Sequence, residues 1–392
     1  MKEIVIAAGK RTPMCEYGGA LKDVSALDLG AIAAKAAIAQ SKIDPAEFDH
    51  AVMGNALQTS ADAHYGARHV ALRAGLPIET PGLTVNRLCG SGIQSIISAA
   101  QMIELGEASV VLAGGMESMS QAPYVMRNAR WGLRMGQGTL EDSLMTSLRD
   151  TYCGLLMAET AEKLARRYGV SRETQDDFAF ESQMRAAAAW NVGKFDDEVT
   201  PVEIPGRKGV EQAVRDDHLR PDTTREGLAK LAPAFSKDGF VTAGNASGIV
   251  DAGAAVVVTT AEHAASKPLG RIVAWAVVGV DPSVMGIGPA PAVRQALGRA
   301  GLRLSDLDLI EINEAFAAQY LAVEKELGLD RSKVNVNGGA IALGHPLGAT
   351  GTRLTMTLLY ELRRRGGKYG AAAACIGGGQ GIALIVEALP EN

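Results

Sequence analysis

The chain has 392 residues, 47% hydrophobic and 21% charged, which is length for two or three core-forming units and too much apolar content for a disordered protein. A formal net charge of −5 gives no global attraction to nucleic acid or to an anionic membrane, so any polyanionic ligand needs a local basic patch. The four cysteines, Cys15, Cys89, Cys153 and Cys375, have no paired framework spacing, and free thiols in a reducing compartment are expected.

The opening MKEIVIAAGKRTP has too short an apolar run for a signal peptide or a membrane span and reads as a first strand. A long Ala-rich helix follows Ser25, then the segments IDPAEFDHAVMGNAL and GLTVN, the helical GSGIQSIISAAQMIELG and the strand-like VVLAGG. From Gly270 the same order recurs: GRIVAWAVVGV, the helical PAPAVRQALGRAG, LRLSDLDLIEINEAF, KVNVNGG, the helical GATGTRLTMTLLYELRRRGG and AAAACIGGG. Two similar α/β halves follow, with strands apolar throughout, as parallel strands buried on both faces would be.

The interval 119–247 interrupts the repetition. It reads as two charged amphipathic helices with a Ser171 cap between them, then a Pro- and Asp-rich irregular stretch, and after it SGIVDAGAAVVVTTAE resumes a buried strand. The expected units are therefore residues 1–118 plus 248–269, an insertion at 119–247, and residues 270–392. The C-terminal LPEN carries no peroxisomal tripeptide, so the cytoplasm is the default expectation, with an organelle matrix as the alternative for a eukaryotic source.

Three glycine-rich segments carry chemistry. Cys89 precedes Gly90-Ser91-Gly92 and a periodic apolar run, which places it near a helix N-terminus, where a thiolate is favoured; a small core cysteine would look the same locally. His345, between Gly344 and Pro346, is held in a turn and is the base to pair with a thiol, while no second ligand at metal spacing surrounds it. Cys375 opens CIGGGQG, where Gly377 offers a backbone N–H for an oxyanion site or else belongs to a tight hairpin. Asn313-Glu314 ends the apolar run LDLIEI, at the strand end where open sheets place ligands, with Glu314 expected in the first turn of the next helix; an ordinary helix cap is the competing reading of Asn313. GNASG at 244–248 is a candidate phosphate-cradling turn, although it lacks the lysine and hydroxyl of a P-loop, and no GxGxxG opens the first half.

In order and spacing, VNRLCGSG, GNASG, NEAF, GGAIALGHPLGATG and CIGGGQG resemble the thiolase family over essentially the whole chain. The resemblance implies a five-layered α/β/α/β/α fold of two halves, an inserted loop domain that binds coenzyme A, and a homodimer or homotetramer. It also implies no permanently bound cofactor, coenzyme A and acyl-CoA as substrates, and a place in fatty acid metabolism.

Carried over by position, Cys89 corresponds to the acylated nucleophile, His345 to the imidazole that activates it and Cys375 to the second thiol, acting as acid and base. Asn313 corresponds to the asparagine that holds a water, which with His345 forms one oxyanion site for the thioester oxygen, and the N–H groups of Cys89 and Gly377 to the other. Ser247 resembles the serine near the pantetheine arm, Arg220 the basic residue beside adenine, and Met157, Phe235, Met285 and Phe316 resemble lining residues of the acyl and pantetheine tunnel. Where acetoacetyl-specific members carry an HMG sequence this chain has Leu155-Leu156-Met157-Ala158, closer to the broader 3-ketoacyl-CoA enzymes. A decarboxylating ketoacyl synthase, a cysteine hydrolase and a catalytically silent lipid-binding scaffold are the rival readings, separated by malonyl-thioester dependence, coenzyme A dependence and the absence of an acyl-enzyme.

Overall fold

The computed structural model describes residues 2–206 and 209–390; residues 1, 207, 208, 391 and 392, which fall inside the expected units, lie outside the described residues. The first half supplies strands β1 (Ile4–Arg11), β2 (His50–Gly54), β3 (Gly82–Val85), β4 (Val110–Glu117) and β5 (Val250–Thr260), with helices α1 (Ala26–Ser41), α2 (Gly66–Ala74) and α3 (Ser91–Leu105). Between β4 and β5 come α4 (Met157–Tyr168) and α5 (Arg172–Asn191), with Ser171 Oγ accepting from the Thr174 N–H as the cap. The second half supplies β6 (Gly270–Gly279), β7 (Leu309–Ile312), β8 (Tyr369–Ile376) and β9 (Gln380–Ala388), with α6 (Pro289–Ala300), α7 (Ala317–Leu327) and α8 (Leu347–Arg365).

The sheet runs β3-β2-β4-β5-β1-β6-β9-β8-β7, and the halves meet where β1 pairs with β6 through Val5–Arg271 and Ile6–Gly270. Pairings repeat between the halves. β2 is parallel to β3 and β4, as β7 is to β8, while β4–β5–β1 and β8–β9–β6 are antiparallel. The all-parallel reading of the apolar runs is thus corrected to a mixed sheet. Those runs report burial on both faces, complete along β4, and burial is indifferent to strand direction.

Helices α3 and α8 lie between the two halves, where Ile93, Ile96 and Ile103 meet Leu354, Leu358 and Leu362 together with Val111, Val256, Ile382 and Leu384. Helices α1 and α2 cover the outer face of the first half, and α6 and α7 that of the second. The result is five layers of α/β/α/β/α. Among the described residues no helix is long and apolar enough to cross a membrane.

KVNVNGG does not form the expected strand. Only Val334 bridges Ile310, and Asn335, at φ 46°, substitutes its side chain for the missing ladder: Oδ1 accepts from the Ile312 N–H at 2.9 Å and Nδ2 donates to the Ile312 carbonyl at 2.9 Å. A short amide tolerates the left-handed region and satisfies both backbone groups at once.

The central helices touch through backbone. A Cβ at Gly92 would lie 2.5 Å from the Thr352 nitrogen, and one at Gly351 would run into the Ile93 nitrogen. Gly351→Ala must therefore push α3 and α8 apart, and because backbone cannot rotate away the cost should reach or exceed the upper end of overpacking, about 3 kcal/mol. Thermal unfolding should show a loss of several degrees; an unchanged transition would show that the helices have room to spare.

Candidate active site

Cys89 sits in the 3₁₀ turn Leu88–Gly90 that feeds α3. Leu88 holds a left-handed φ of 47°, a strained state for a leucine, and the turn is tied on all sides. The Leu88 N–H donates to Asn86 Oδ1 at 2.9 Å, the Arg87 N–H to Ser91 Oγ at 2.9 Å, and Arg87 Nη1 crosses to Gln380 Oε1 of the second half at 2.8 Å. The thiol packs beside Leu57, Met119 and Leu347. Burial pushes it up to about 11, although the Gly377 N–H and its own N–H pull it down, and Glu117 adds to the rise. The expectation of a helix-stabilised thiolate is not met, since burial raises the thiol further than the two N–H groups lower it.

His345 is buried in the turn before α8. Its Nδ1 lies 2.6 Å from Thr350 Oγ1, whose hydroxyl donates to the Pro346 carbonyl at 2.9 Å, so Nδ1 carries the proton given to Thr350. Asn313 Nδ2 donates to Nε2 at 3.2 Å. Burial, and then the Arg353 cation, hold the imidazolium down to about 3, so the ring rests neutral. Asn313 follows β7, and its N–H donates to the Ala373 carbonyl of β8 at 2.9 Å. Its Oδ1 is buried with no partner among the described residues.

Asn313 is not a helix cap, since α7 begins at Ala317 behind Phe316. Glu314 likewise precedes that helix. Its carboxylate accepts from Ser182 Oγ at 2.7 Å, Asn335 Nδ2 at 2.8 Å and the Ile341 N–H at 3.2 Å, pinning the Asn313 loop to the His345 loop and to α5.

Cys375 ends β8, fully buried with Met285 and Ala315, against Met157 and Phe316. Burial, and then the neighbouring Cys89, push its thiol well above the usual range. The hairpin at 377–379 turns into β9, and the N–H of buried Gly377 is directed at the Cys89 sulfur. The structure thus sets Cys89 beside Cys375 and the Gly377 N–H, packs Met157, Met285 and Phe316 against Cys375, and pairs Asn313 with His345, whose turn leads to Leu347 beside Cys89.

Beyond lies a cavity of about 470 Å³ lined by Glu16, Gln183, His218, Arg220, Thr224, Leu228 and Gly244, among others. Arg220 is half exposed there and holds Glu16 through both carboxylate oxygens at 2.8 and 3.0 Å. Phe235 is 39% exposed and outside that lining. GNASG does not cradle a phosphate: its Asn245 side chain and backbone are spent on Thr242, Phe240 and Asp176, and Ser247 and Gly248 donate to the Ala315 and Ala340 carbonyls. It clamps the two catalytic loops instead, with the Gly248 carbonyl accepting the His345 N–H at 2.9 Å.

Sequence reasoning missed Thr350, Asn335 and Glu117. Thr350 was detectable as the hydroxyl five residues beyond the histidine, on the first turn of its helix; the other two act from distant segments and leave no local signal. Among the described residues no group of three or more His, Cys, Asp or Glu could hold a metal ion.

Below a pKa near 11 the thiolate fraction rises about tenfold with each unit increase in pH. Iodoacetamide alkylation of Cys89, followed by peptide mass mapping, should therefore climb steadily from pH 7 to 9. A plateau beginning at neutral pH would reveal a preformed thiolate and overturn the neutral pair.

Comparison with known proteins places the sequence and the fold in one family. The thiolase N-terminal domain profile matches residues 4–262 and the thiolase C-terminal domain profile residues 266–388. The human mitochondrial 3-ketoacyl-CoA thiolase is 56% identical over 392 residues, covering 99% of this chain and 98% of that one. An acetyl-CoA acetyltransferase of Syntrophomonas wolfei is 50% identical over 396 residues, covering 99% and 100%. The crystal structure of human mitochondrial 3-ketoacyl-CoA thiolase in complex with CoA superposes with a TM-score of 0.96 at 55% identity, covering 99% and 98%. With both profiles together spanning nearly the whole chain and relatives at 50% identity or more over nearly their full length, the chain belongs to the thiolase family.

Proposed function

We propose that this acyltransferase cleaves 3-ketoacyl-CoA with coenzyme A to acetyl-CoA and a shortened acyl-CoA, and runs the reverse condensation, through acyl-Cys89. The observation that carries the reading is the Cys375 thiol beside Cys89, with the Gly377 N–H on the Cys89 sulfur. Cys89 Sγ attacks the 3-keto carbon as its proton passes to His345. Collapse of the tetrahedral adduct breaks the C2–C3 bond and leaves acyl-Cys89 and the acetyl-CoA enolate, which takes the Cys375 proton at C2. Coenzyme A then gives its thiol proton to the Cys375 thiolate and attacks acyl-Cys89, while the His345 proton returns to the departing Cys89 sulfur.

Each role is supported by an environment. A thiol held well above its usual range can donate to an enolate. A neutral imidazole with Nδ1 committed to Thr350 offers Nε2 to a proton. The N–H groups of Cys89 and Gly377 fit the acyl carbonyl, and Asn313 with His345 fits the thioester oxygen. We place the pantetheine arm along Ser247 and the Arg220 cavity, within the 119–247 insertion and its junction with β5, and the acyl chain against Met157, Met285 and Phe316. Exposed Leu83 on the edge strand β3 favours assembly as a homodimer or homotetramer. The name of the mammalian relative favours an organelle matrix if the source is eukaryotic, and does not support the cytoplasm as default.

Steady-state thiolysis of 3-ketoacyl-CoA substrates of four, six and eight carbons tests the reading and its scope. Leu155 and Leu156 leave no polar group to be stranded by an alkyl tail, and each buried methylene contributes up to about 0.8 kcal/mol. We expect kcat/KM to hold or rise with length. A fall of more than about a hundredfold on adding two methylenes would make acetoacetyl-CoA the substrate, and no coenzyme A-dependent product or acyl-enzyme with any of them would leave a silent scaffold. Cys375→Ser should still accept an acetyl group from acetyl-CoA on Cys89 while carbon–carbon cleavage slows by about 10²–10⁴. Equal loss of both half-reactions would merge the two roles.

A further inference from the structure

Glu117, at the end of β4, is fully buried, and the proposed chemistry gives it no role. Every hydrogen bond the structure gives its carboxylate comes from a loop of the site. Oε1 accepts from the Leu57 N–H at 3.0 Å and Asn55 Nδ2 at 2.9 Å; Oε2 accepts from the Ala56 N–H at 3.1 Å and the Gly348 N–H at 2.8 Å. Gly348 belongs to the first turn of α8, three residues after His345. The other bonds lead to the nucleophile. The Ala56 carbonyl accepts from Asn86 Nδ2 at 3.1 Å, and Asn86 Oδ1 accepts from the N–H of Leu88, the residue held at positive φ immediately before Cys89. Leu57 and Leu347 close the path by packing against Cys89 itself.

We propose that Glu117 is a positioning residue: its carboxylate couples the Cys89 turn, through Ala56 and Asn86, to the His345 turn, through Gly348, and so sets the register of nucleophile and base across the two halves. No side chain without two acceptor oxygens can hold all four donors. The strained Leu88 is the part that needs holding, because left to itself it would relax out of the left-handed region and carry the thiol with it. Backbone crowding at the other end makes the tie stiff, since a Cβ at Gly348 would lie 2.5 Å from the Met116 carbonyl oxygen and 2.7 Å from that of Gly54.

Charge alone predicts the opposite of this role. The negative charge of Glu117 opposes ionisation of Cys89, so an electrostatic effect of its removal would speed reactions of the thiol.

The inference rests on the acyl-Cys89 reading, and the experiment separates the two. Glu117→Gln, which keeps the shape but replaces one acceptor by a donor, and Asn86→Ala, an exposed position at the far end of the relay, are compared with the parent. Single-turnover acetylation of Cys89 by acetyl-CoA should slow about 10²-fold in Glu117→Gln, the scale of a misplaced reacting group, and about tenfold in Asn86→Ala, which loses both Asn86 bonds of the relay but leaves the four donors on Glu117 in place. Iodoacetamide alkylation of Cys89, which needs no base in register, should not slow, and KM for coenzyme A should stay within about twofold. A parent chain that takes no acetyl group from acetyl-CoA defeats the acyl-enzyme reading itself. Acetylation within twofold of the parent in both variants overturns the positioning role, as does slowed alkylation accompanying slowed acetylation. If Glu117→Gln does not fold, the Asn86→Ala rates decide by the same criteria.

Discussion

The backbone contact between α3 and α8 is the constraint on which the site depends. Each helix starts from a turn that carries a reactive side chain, and each is buried between the two sheet halves, so neither can adjust by tilting toward solvent. Gly92 and Gly351 let the axes approach until one helix's nitrogen lies where the other's Cβ would be. Cys89 lies three residues before Gly92, and His345 six before Gly351. The starts of the two helices are therefore fixed by the closest packing available to them, which leaves only the short turns that carry Cys89 and His345 to be held.

The same burial sets the electrostatics. Taking charge out of water raises a thiol and lowers an imidazolium, and the structure does both: Cys89 stands at about 11 and His345 at about 3. A thiolate–imidazolium pair is thus disfavoured in the resting protein. In the proposed mechanism the proton moves only when negative charge passes from sulfur to a substrate oxygen, the charge assigned there to the N–H groups of Cys89 and Gly377. Such a site is quiet toward adventitious electrophiles and reactive toward a carbonyl seated between its donors.

Much of this was legible in the chain. The repeated order of apolar runs fixes two halves, and glycines beside Cys89, His345 and Cys375 mark places where backbone must approach closely. Three things were not legible, each for a physical reason. Strand direction is invisible in β4 and β9 because a strand buried on both faces is apolar whichever way its neighbours run. The ionisation of Cys89 was misread because a helix terminus is visible in sequence and desolvation is not. Asn335 and Glu117 were passed over because the groups they hold, Ile312, Ala56 and Gly348, come from segments remote in sequence, and a hydrogen bond to a remote backbone N–H leaves no spacing to recognise.

Comparison of the halves shows how a duplicated framework divides its labour. Strand β2 is followed by Asn55 as β7 is by Asn313; the Cys89 turn leads into α3 as the His345 turn leads into α8; Glu117 ends β4 where Cys375 nears the end of β8. Six equivalent positions thus converge from two copies. In the second copy the asparagine faces the imidazole and the thiol ends its strand, whereas in the first the asparagine donates to the Met116 carbonyl and to Glu117. Only the nucleophile turn of the first copy is reactive. On the role proposed for Glu117, its neighbours hold it, in keeping with the strain at Leu88: a turn that presents a thiol from a left-handed residue needs fixed partners, while the His345 turn also has Thr350 of its own helix and the Gly248 carbonyl. On the proposed roles, one copy supplies the base, the acid and an oxyanion partner while the other is given over to keeping a single sulfur in place.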